Sequence, residues 1–171
     1  MLTFVSSNFH KWREYLHMNP EIALYPMEFR ECGLELEAVV LEKLGQAMER
    51  VRPPFFVEDT GFFVAGKNFP SVFSGRVFKS VGLRWLRAYE GETASFRAVI
   101  GLWDGEQVHF FRGEVIGRVV SPRGQSGFGY DPIFLPTGHD KTFAEDPAYK
   151  NKNSHRRKAF EEMMKWWKSR H

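Results

Sequence analysis

A mixed α/β fold is predicted by three features of the 171-residue chain. It opens as strand, turn and helix, with Leu2 to Ser6 strand-like and Phe9 to Met18 helical. A helical stripe (Leu36, Val40, Leu44, Ala47, Val51) then runs directly into the apolar stretch Phe55-Phe56-Val57, which reads as a buried strand. Further on, Phe96, Ala98, Ile100 and Leu102 alternate across Ser95 to Leu102 as a half-buried strand does, with Asp104-Gly105 as the hairpin turn into a partner over Gln107 to Val119.

Each element has a local reason. Ser6-Ser7-Asn8 supplies turn and cap residues, with Asn8 as the N-cap of the first helix. Pro20 and Pro26 flank a second short strand around Ile22 to Tyr25, and Pro53-Pro54 closes the helix that begins at Leu36. The strand from Phe55 is expected to end in the charged turn Glu58-Asp59-Thr60-Gly61. Gly66 to Gly75 reads as a loop or short helical turn, Leu83 to Tyr89 as a short helix, and Ser121 to Thr137 as a Gly- and Pro-rich loop. A last helix from about Ser154 to Ser169 carries Phe160, Met163, Met164 and Trp167 as its apolar stripe. No repeat or linker interrupts the chain, which reads as one domain over 1–171.

Composition bounds the function. A hydrophobic content of 43% supports a full core, and 17 Phe with five Trp make it aromatic. One cysteine, Cys32, excludes an internal disulfide and fits a reducing compartment, and no secretory leader or membrane-length apolar run is visible. The expectation is a cytoplasmic protein with no membrane partner. A net charge of +3 allows an anionic ligand but is weak for a duplex binder, so no nucleic-acid partner is expected.

Four features carry chemistry. Glu58-Asp59 places two carboxylates at the end of a buried strand, where burial requires a cation or a partner; a solvated turn is the alternative. Lys11 sits in the first turn of a helix, where a cation opposes the dipole unless an anion neutralises it. Lys150, Lys152, His155, Arg156, Arg157 and Lys158 crowd the start of the last helix, which makes sense if an anion or a carbonyl-rich ligand sits there; a solvated basic patch is the alternative. In Gly127-Phe128-Gly129-Tyr130-Asp131, small neighbours leave Phe128 able to lie flat on a partner such as a nucleobase, or to plug the core.

Four blocks together resemble the inosine triphosphate pyrophosphatase family: Ser6-Ser7-Asn8-Phe9-His10-Lys11; Glu58-Asp59-Thr60-Gly61-Phe62 with Phe69-Pro70-Ser71-Val72-Phe73-Ser74; Gly127 to Phe134 with Lys141-Thr142-Phe143-Ala144-Glu145; and Lys150-Asn151-Lys152-Asn153-Ser154-His155-Arg156. The resemblance implies an elongated, two-lobed α/β fold around a long twisted mixed sheet, an active cleft between the lobes, and a homodimer. It implies hydrolysis of ITP, dITP or XTP to the monophosphate and pyrophosphate with Mg²⁺, Mn²⁺ being the alternative ion. On this reading Asp59 activates water and touches the metal, with Glu37 as second ligand and Glu35 or Glu58 as alternatives. Ser6, Ser7, Asn8, Lys11 and Thr60 hold the phosphates, with Lys11 also offsetting charge on the leaving group. Phe128 stacks on the base in the Gly129-Tyr130 loop, and Asp131, Lys150, His155 and Arg156 read its edge. Ser7, Ser71, Phe73 and Asn153 depart from the family pattern.

Three other readings compete. One is a pyrophosphatase for modified pyrimidine triphosphates. Another is an aspartic protease built on Asp59-Thr60-Gly61, which leaves the Phe128 and His155 blocks unexplained. The third is a single-strand nucleic-acid module using the aromatics and basic cluster.

Overall fold

The computed structural model describes residues 1–67 and 69–170. A seven-stranded mixed sheet has the order β2-β1-β3-β5-β6-β7, with β4 paired to β3. Its strands are β1 (Thr3–Val5), β2 (Ala23–Tyr25), β3 (Phe55–Val64), β4 (Pro70–Ser71), β5 (Thr93–Trp103), β6 (Val108–Val119) and β7 (Phe134–Pro136). The helices are α1 (Phe9–Met18), α2 (Leu36–Met48), α3 (Ser74–Val81), α4 (Pro147–Asn153) and α5 (His155–Lys168), with 3-10 turns at Arg84–Tyr89 and Asp131–Ile133. No helix among the described residues is long and apolar enough to cross a membrane.

The chain divides into two compact units. The first comprises Met1–Asp59, Ala98–Gly113 and Arg156–His171, and the second Thr60–Arg97 and Glu114–His155. β3, β5 and β6 each contribute residues to both. In the first unit β1 pairs in parallel with β2 and β3, placing Thr3 opposite both Ala23 and Phe55. Its core joins Phe4, Tyr15, Phe56, Ile100, Phe160 and Met163. Tyr15 meets Phe56 edge-on, with centroids 5.1 Å apart. In the second unit Phe62, Phe96, Tyr130, Phe134 and Phe143 form a separate core, where Tyr130 lies nearly parallel to Phe62 at 4.8 Å.

Three local expectations needed correction. β3 does not stop at Glu58-Asp59-Thr60-Gly61 but continues to Val64, with Phe62 and Val64 both buried. Aromatic and β-branched residues on either side of the turn-like tetrad override it, because burying them outweighs local turn preference. Gly61 makes this compatible with β4, since a Cβ there would lie 2.5 Å from the Phe63 ring and 2.8 Å from the Ser71 carbonyl oxygen. α3 begins at Ser74, at the very end of the Gly66–Gly75 stretch expected as a loop or short helical turn, and continues to Val81. α4 precedes the last helix, announced by Asp146, whose carboxylate accepts the Tyr149 N–H at 2.9 Å, and by Pro147 at its first turn.

The β5–β6 hairpin is pinned by Asp104. Its Oδ1 accepts the N–H groups of Glu106 and Gln107, both at 2.8 Å, and its Oδ2 meets His109 Nε2 at 2.7 Å. Partial burial pushes the carboxyl pKa up, but these donors overcome it and hold it down at about 2, against an ordinary 3.8. A depressed carboxylate stabilises the fold above its unfolded pKa and loses that contribution as pH falls towards the folded one. The stability gap between wild type and Asp104→Ala, read from urea midpoints, is therefore expected to narrow between about pH 4 and pH 2. A gap constant over that window would remove the carboxylate from the hairpin's stability.

Candidate active site

The opening turn is built from its own side chains. Ser6 Oγ accepts the Asn8 N–H at 3.0 Å, and Asn8 Oδ1 accepts the Lys11 N–H at 3.1 Å, capping α1 as the sequence indicates. Ser7 is exposed at the tip. Lys11 reaches back along α1 until its ammonium lies 3.5 Å from Glu58, with only 13% of the side chain exposed. Burial lowers its pKa, opposed mainly by the Glu58 charge. The anion that a first-turn lysine requires is thus supplied by the protein itself.

Alternation along β3 sends the two adjacent acids to different partners. Glu58 is fully enclosed. Its Oε2 accepts from Tyr15 Oη at 2.8 Å and Arg156 Nε at 2.8 Å, while its Oε1 accepts from Arg156 Nη2 at 2.9 Å. Arg156 Nη1 turns to Glu14. On the other face Asp59 Oδ1 accepts from Lys43 Nζ at 2.7 Å, and that ammonium also lies 2.9 Å from Glu31. Two carboxylates therefore share one cation. Asp59 Oδ2 is buried and has no hydrogen-bond partner among the described residues. Burial raises the Asp59 pKa, with Lys43 opposing the shift. Burial works against the Lys43 ammonium too, yet Asp59 and Glu31 hold its pKa above the usual value.

The second unit builds a different surface. Gly127 has φ +78°, and a Cβ there would meet Asp131 Oδ2 at 2.3 Å, so only glycine admits this approach. That same Oδ2 accepts the Phe128 N–H and the Lys150 ammonium, both at 2.8 Å. Lys150 Nζ stands 4.6 Å from the centre of the Phe128 ring, so the cation that Asp131 holds also lies over an aromatic face. His155 is buried, stacked on Phe96 at 4.7 Å and nearly parallel. Thr60 and Gly129 are half-buried, the latter with φ +63°.

A Ham1 family model matches residues 2–166 of this chain. The chain belongs to the Ham1 family. Among relatives of this Ham1 family protein, the dITP/XTP pyrophosphatase of Thermococcus kodakarensis is 39% identical, the match covering 98% of this chain and 97% of that protein. The inosine triphosphate pyrophosphatase of Pyricularia oryzae is 34% identical over 99% of this chain and 94% of its own length. Among solved structures, a HAM1 protein from Coxiella burnetii superposes with a TM-score of 0.79 at 29% identity, covering 99% of this chain and all of that one. The α/β fold with its mixed sheet is thus that of the Ham1 proteins.

Against this Ham1 frame, several residues take other places than expected. Glu37, expected as the second metal ligand, gives Oε1 to Arg112 Nε at 2.7 Å in a pair whose side chains are 41% and 61% exposed. The carboxylate that shares a cation with Asp59 is Glu31. Arg156, expected at the edge of a base, is buried with each of its three guanidinium nitrogens directed at a carboxylate, because a guanidinium out of water demands compensating charge. Tyr130 belongs to the core: its ring packs on Phe62, its hydroxyl donates to the Ser74 carbonyl at 2.9 Å, and burial pushes its phenol pKa up. Glu31 and Lys43 were missed from the sequence. Lys43 left a signal, as a charge within the apolar face formed by Leu36, Val39, Val40, Leu44 and Ala47. Glu31 left none, lying in an irregular stretch without periodicity.

The metal implied by the resemblance can be tested on these donors. Among the described residues no group of three or more His, Cys, Asp or Glu is arranged to hold a metal. Magnesium on a nucleotide usually takes only one or two carboxylates, its other positions going to phosphate oxygens and water. Asp59, with an unpartnered buried oxygen, and Glu31 beside the same cation make such a pair. The donor set fits.

Proposed function

We propose that this protein hydrolyses non-standard purine nucleoside triphosphates (ITP, dITP and XTP) to the monophosphate and pyrophosphate. The observation that carries the active-site assignment is Asp59: one oxygen is fixed by Lys43 and the other is buried without a hydrogen-bond partner among the described residues. Burying an unsatisfied carboxylate oxygen is unfavourable, and sites that retain such a group commonly use it in chemistry.

The triphosphate end is assigned to the first unit. Asp59 and Glu31 would hold a divalent ion, Mg²⁺ or Mn²⁺, which supplies Lewis-acid polarisation of the phosphates. Asp59 would orient the attacking water beside that ion and take up its proton, its basicity strengthened by burial and moderated by Lys43. Lys11, kept nearly dry, offsets negative charge on the leaving pyrophosphate. Ser6 and Asn8 shape the turn that presents backbone N–H groups at the start of α1, beside Ser7 and with Thr60 following Asp59.

The base end is assigned to the second unit. Phe128 offers the stacking face, while Asp131, Lys150 and His155 stand as edge-reading groups. Hypoxanthine and xanthine carry an acceptor oxygen at C6, where adenine carries an amino donor. A lysine donor therefore favours the first two, because adenine's amino group offers it no acceptor. Arg156 is assigned to hold Glu58 rather than to read the base. A homodimer in the cytoplasm completes the reading, consistent with a single, exposed and unpaired Cys32.

Pyrophosphate release from ITP, dITP, XTP, ATP, GTP and TTP, with and without Mg²⁺, tests the proposal. Release from the three non-standard purines at least about tenfold faster in kcat/KM than from ATP, and dependent on the ion, is the expected result. Preference for TTP, or equal rates on ATP, would overturn it.

A further inference from the structure

Glu31 lies in a stretch between β2 and α2 that has no regular hydrogen-bonding ladder. Two side chains of α2 supply what that ladder would have supplied. Gln46 treats Arg30 as a strand partner would: its Oε1 accepts the Arg30 N–H at 3.0 Å, and its Nε2 donates to the Arg30 carbonyl at 2.8 Å. One turn earlier Glu42 Oε2 accepts the N–H of Cys32 at 2.8 Å and of Gly33 at 3.1 Å. The two sets of bonds fall on either side of Glu31. Lys43, between the two clamping residues on the same helix, reaches both Glu31 and Asp59.

We infer that Glu42 and Gln46 are positioning residues that fasten the Glu31 segment to α2, so that the Glu31 and Asp59 carboxylates stand ready around one cation. The inference rests on the proposed assignment of Glu31 and Asp59 as the ion-binding pair. Its physical basis is entropic: an irregular segment samples many backbone conformations, and a ligand carried on it binds weakly unless the segment is fixed beforehand. A side chain that fixes a metal ligand without touching the metal typically changes affinity about 10- to 100-fold. Four backbone groups held by two helix residues are such a fixing device.

The test compares Glu42→Ala, Glu42→Gln, Gln46→Ala and Glu31→Gln in the full chain. Mn²⁺ binding without nucleotide is measured by titration calorimetry, and the Mg²⁺ concentration for half-maximal pyrophosphate release from ITP is set against the KM for ITP. Glu42→Ala is expected to weaken Mn²⁺ binding about tenfold and to raise the Mg²⁺ requirement in step, with little change in KM for ITP at saturating Mg²⁺. Glu42→Gln removes the charge but keeps an acceptor for both amides, so it should recover most of the loss. If it loses as much as the alanine variant, Glu42 acts through its field and the clamp is overturned. If Glu42→Ala and Gln46→Ala bind Mn²⁺ like wild type while Glu31→Gln does not, the clamp is again overturned and the ion-binding pair stands. Normal Mn²⁺ binding by Glu31→Gln removes the pair and the clamp with it. Should Glu42→Ala fail to fold, Gln46→Ala carries the same comparison, with amide hydrogen exchange over residues 29–34 reporting directly whether the segment has loosened.

Discussion

Asp59→Asn is expected to lower kcat on ITP by about a thousandfold while leaving the protein as stable as wild type or more so. The loss follows from the side chain's two oxygens having separate tasks. Oδ1 is taken by Lys43, and Oδ2, without a hydrogen-bond partner among the described residues, is the oxygen left for the proposed chemistry. An amide cannot accept the proton, whichever way it is turned. The stability half of the expectation comes from the sign of the pKa shift. Burial raises the Asp59 pKa in the folded state, so folding disfavours the ionised form, an unfavourable contribution that grows as pH rises above the carboxyl's ordinary value. The amide does not carry it. Lys43 is left with Glu31 at 2.9 Å and the Glu58 carbonyl at 3.2 Å, so no buried ammonium is abandoned. A rise or no change in Tm together with a collapse of kcat marks a group retained for chemistry at the expense of stability. Unchanged kcat would take Asp59 out of the mechanism; a large fall in Tm would mean that its charge holds the fold.

How much of this was legible in the sequence depends on the distance over which each signal acts. The Asn8 cap, the start of α1 and the Asp104 turn are decided by neighbours within three residues, and their side-chain bonds are where the residues indicate. The alternation rule separates Glu58 from Asp59 and needs nothing beyond the strand itself. The failures are non-local. β3 runs through a tetrad with turn chemistry because cores at both of its ends reward extension, and neither core is visible in the tetrad. Glu37 enters the ligand pair only through the family resemblance, whereas Glu31 lies in an irregular stretch whose backbone is held by Glu42 and Gln46. The basic cluster at the start of α5 was open to an anionic or carbonyl-rich ligand or to a solvated patch, and the chain itself supplies two carboxylates to Arg156, one lying 98 residues away. A motif indicates which charges must be neutralised; packing decides by what.

Arg156→Ala is the substitution with the largest expected effect on stability, about 3–5 kcal/mol. Arg156 is 1% exposed, and its guanidinium makes a two-pronged contact with Glu58 as well as reaching Glu14. Removing it leaves the Glu58 carboxylate, whose side chain is 0% exposed, with the Tyr15 hydroxyl and a lysine 3.5 Å away. A buried carboxylate that loses its main counter-charge is far more unfavourable than a buried pair is favourable, so the loss measures Glu58's abandonment rather than the strength of the bridge. That asymmetry gives a sharper expectation than the single variant. Adding Glu58→Gln to Arg156→Ala should restore part of the lost stability, because the abandoned charge is gone, although Glu58→Gln alone destabilises. Arg156→Lys should fall between, keeping the charge but not the planar fork. Urea midpoints for the four proteins and wild type close the double-mutant cycle. Additive effects would show that Arg156 and Glu58 contribute separately.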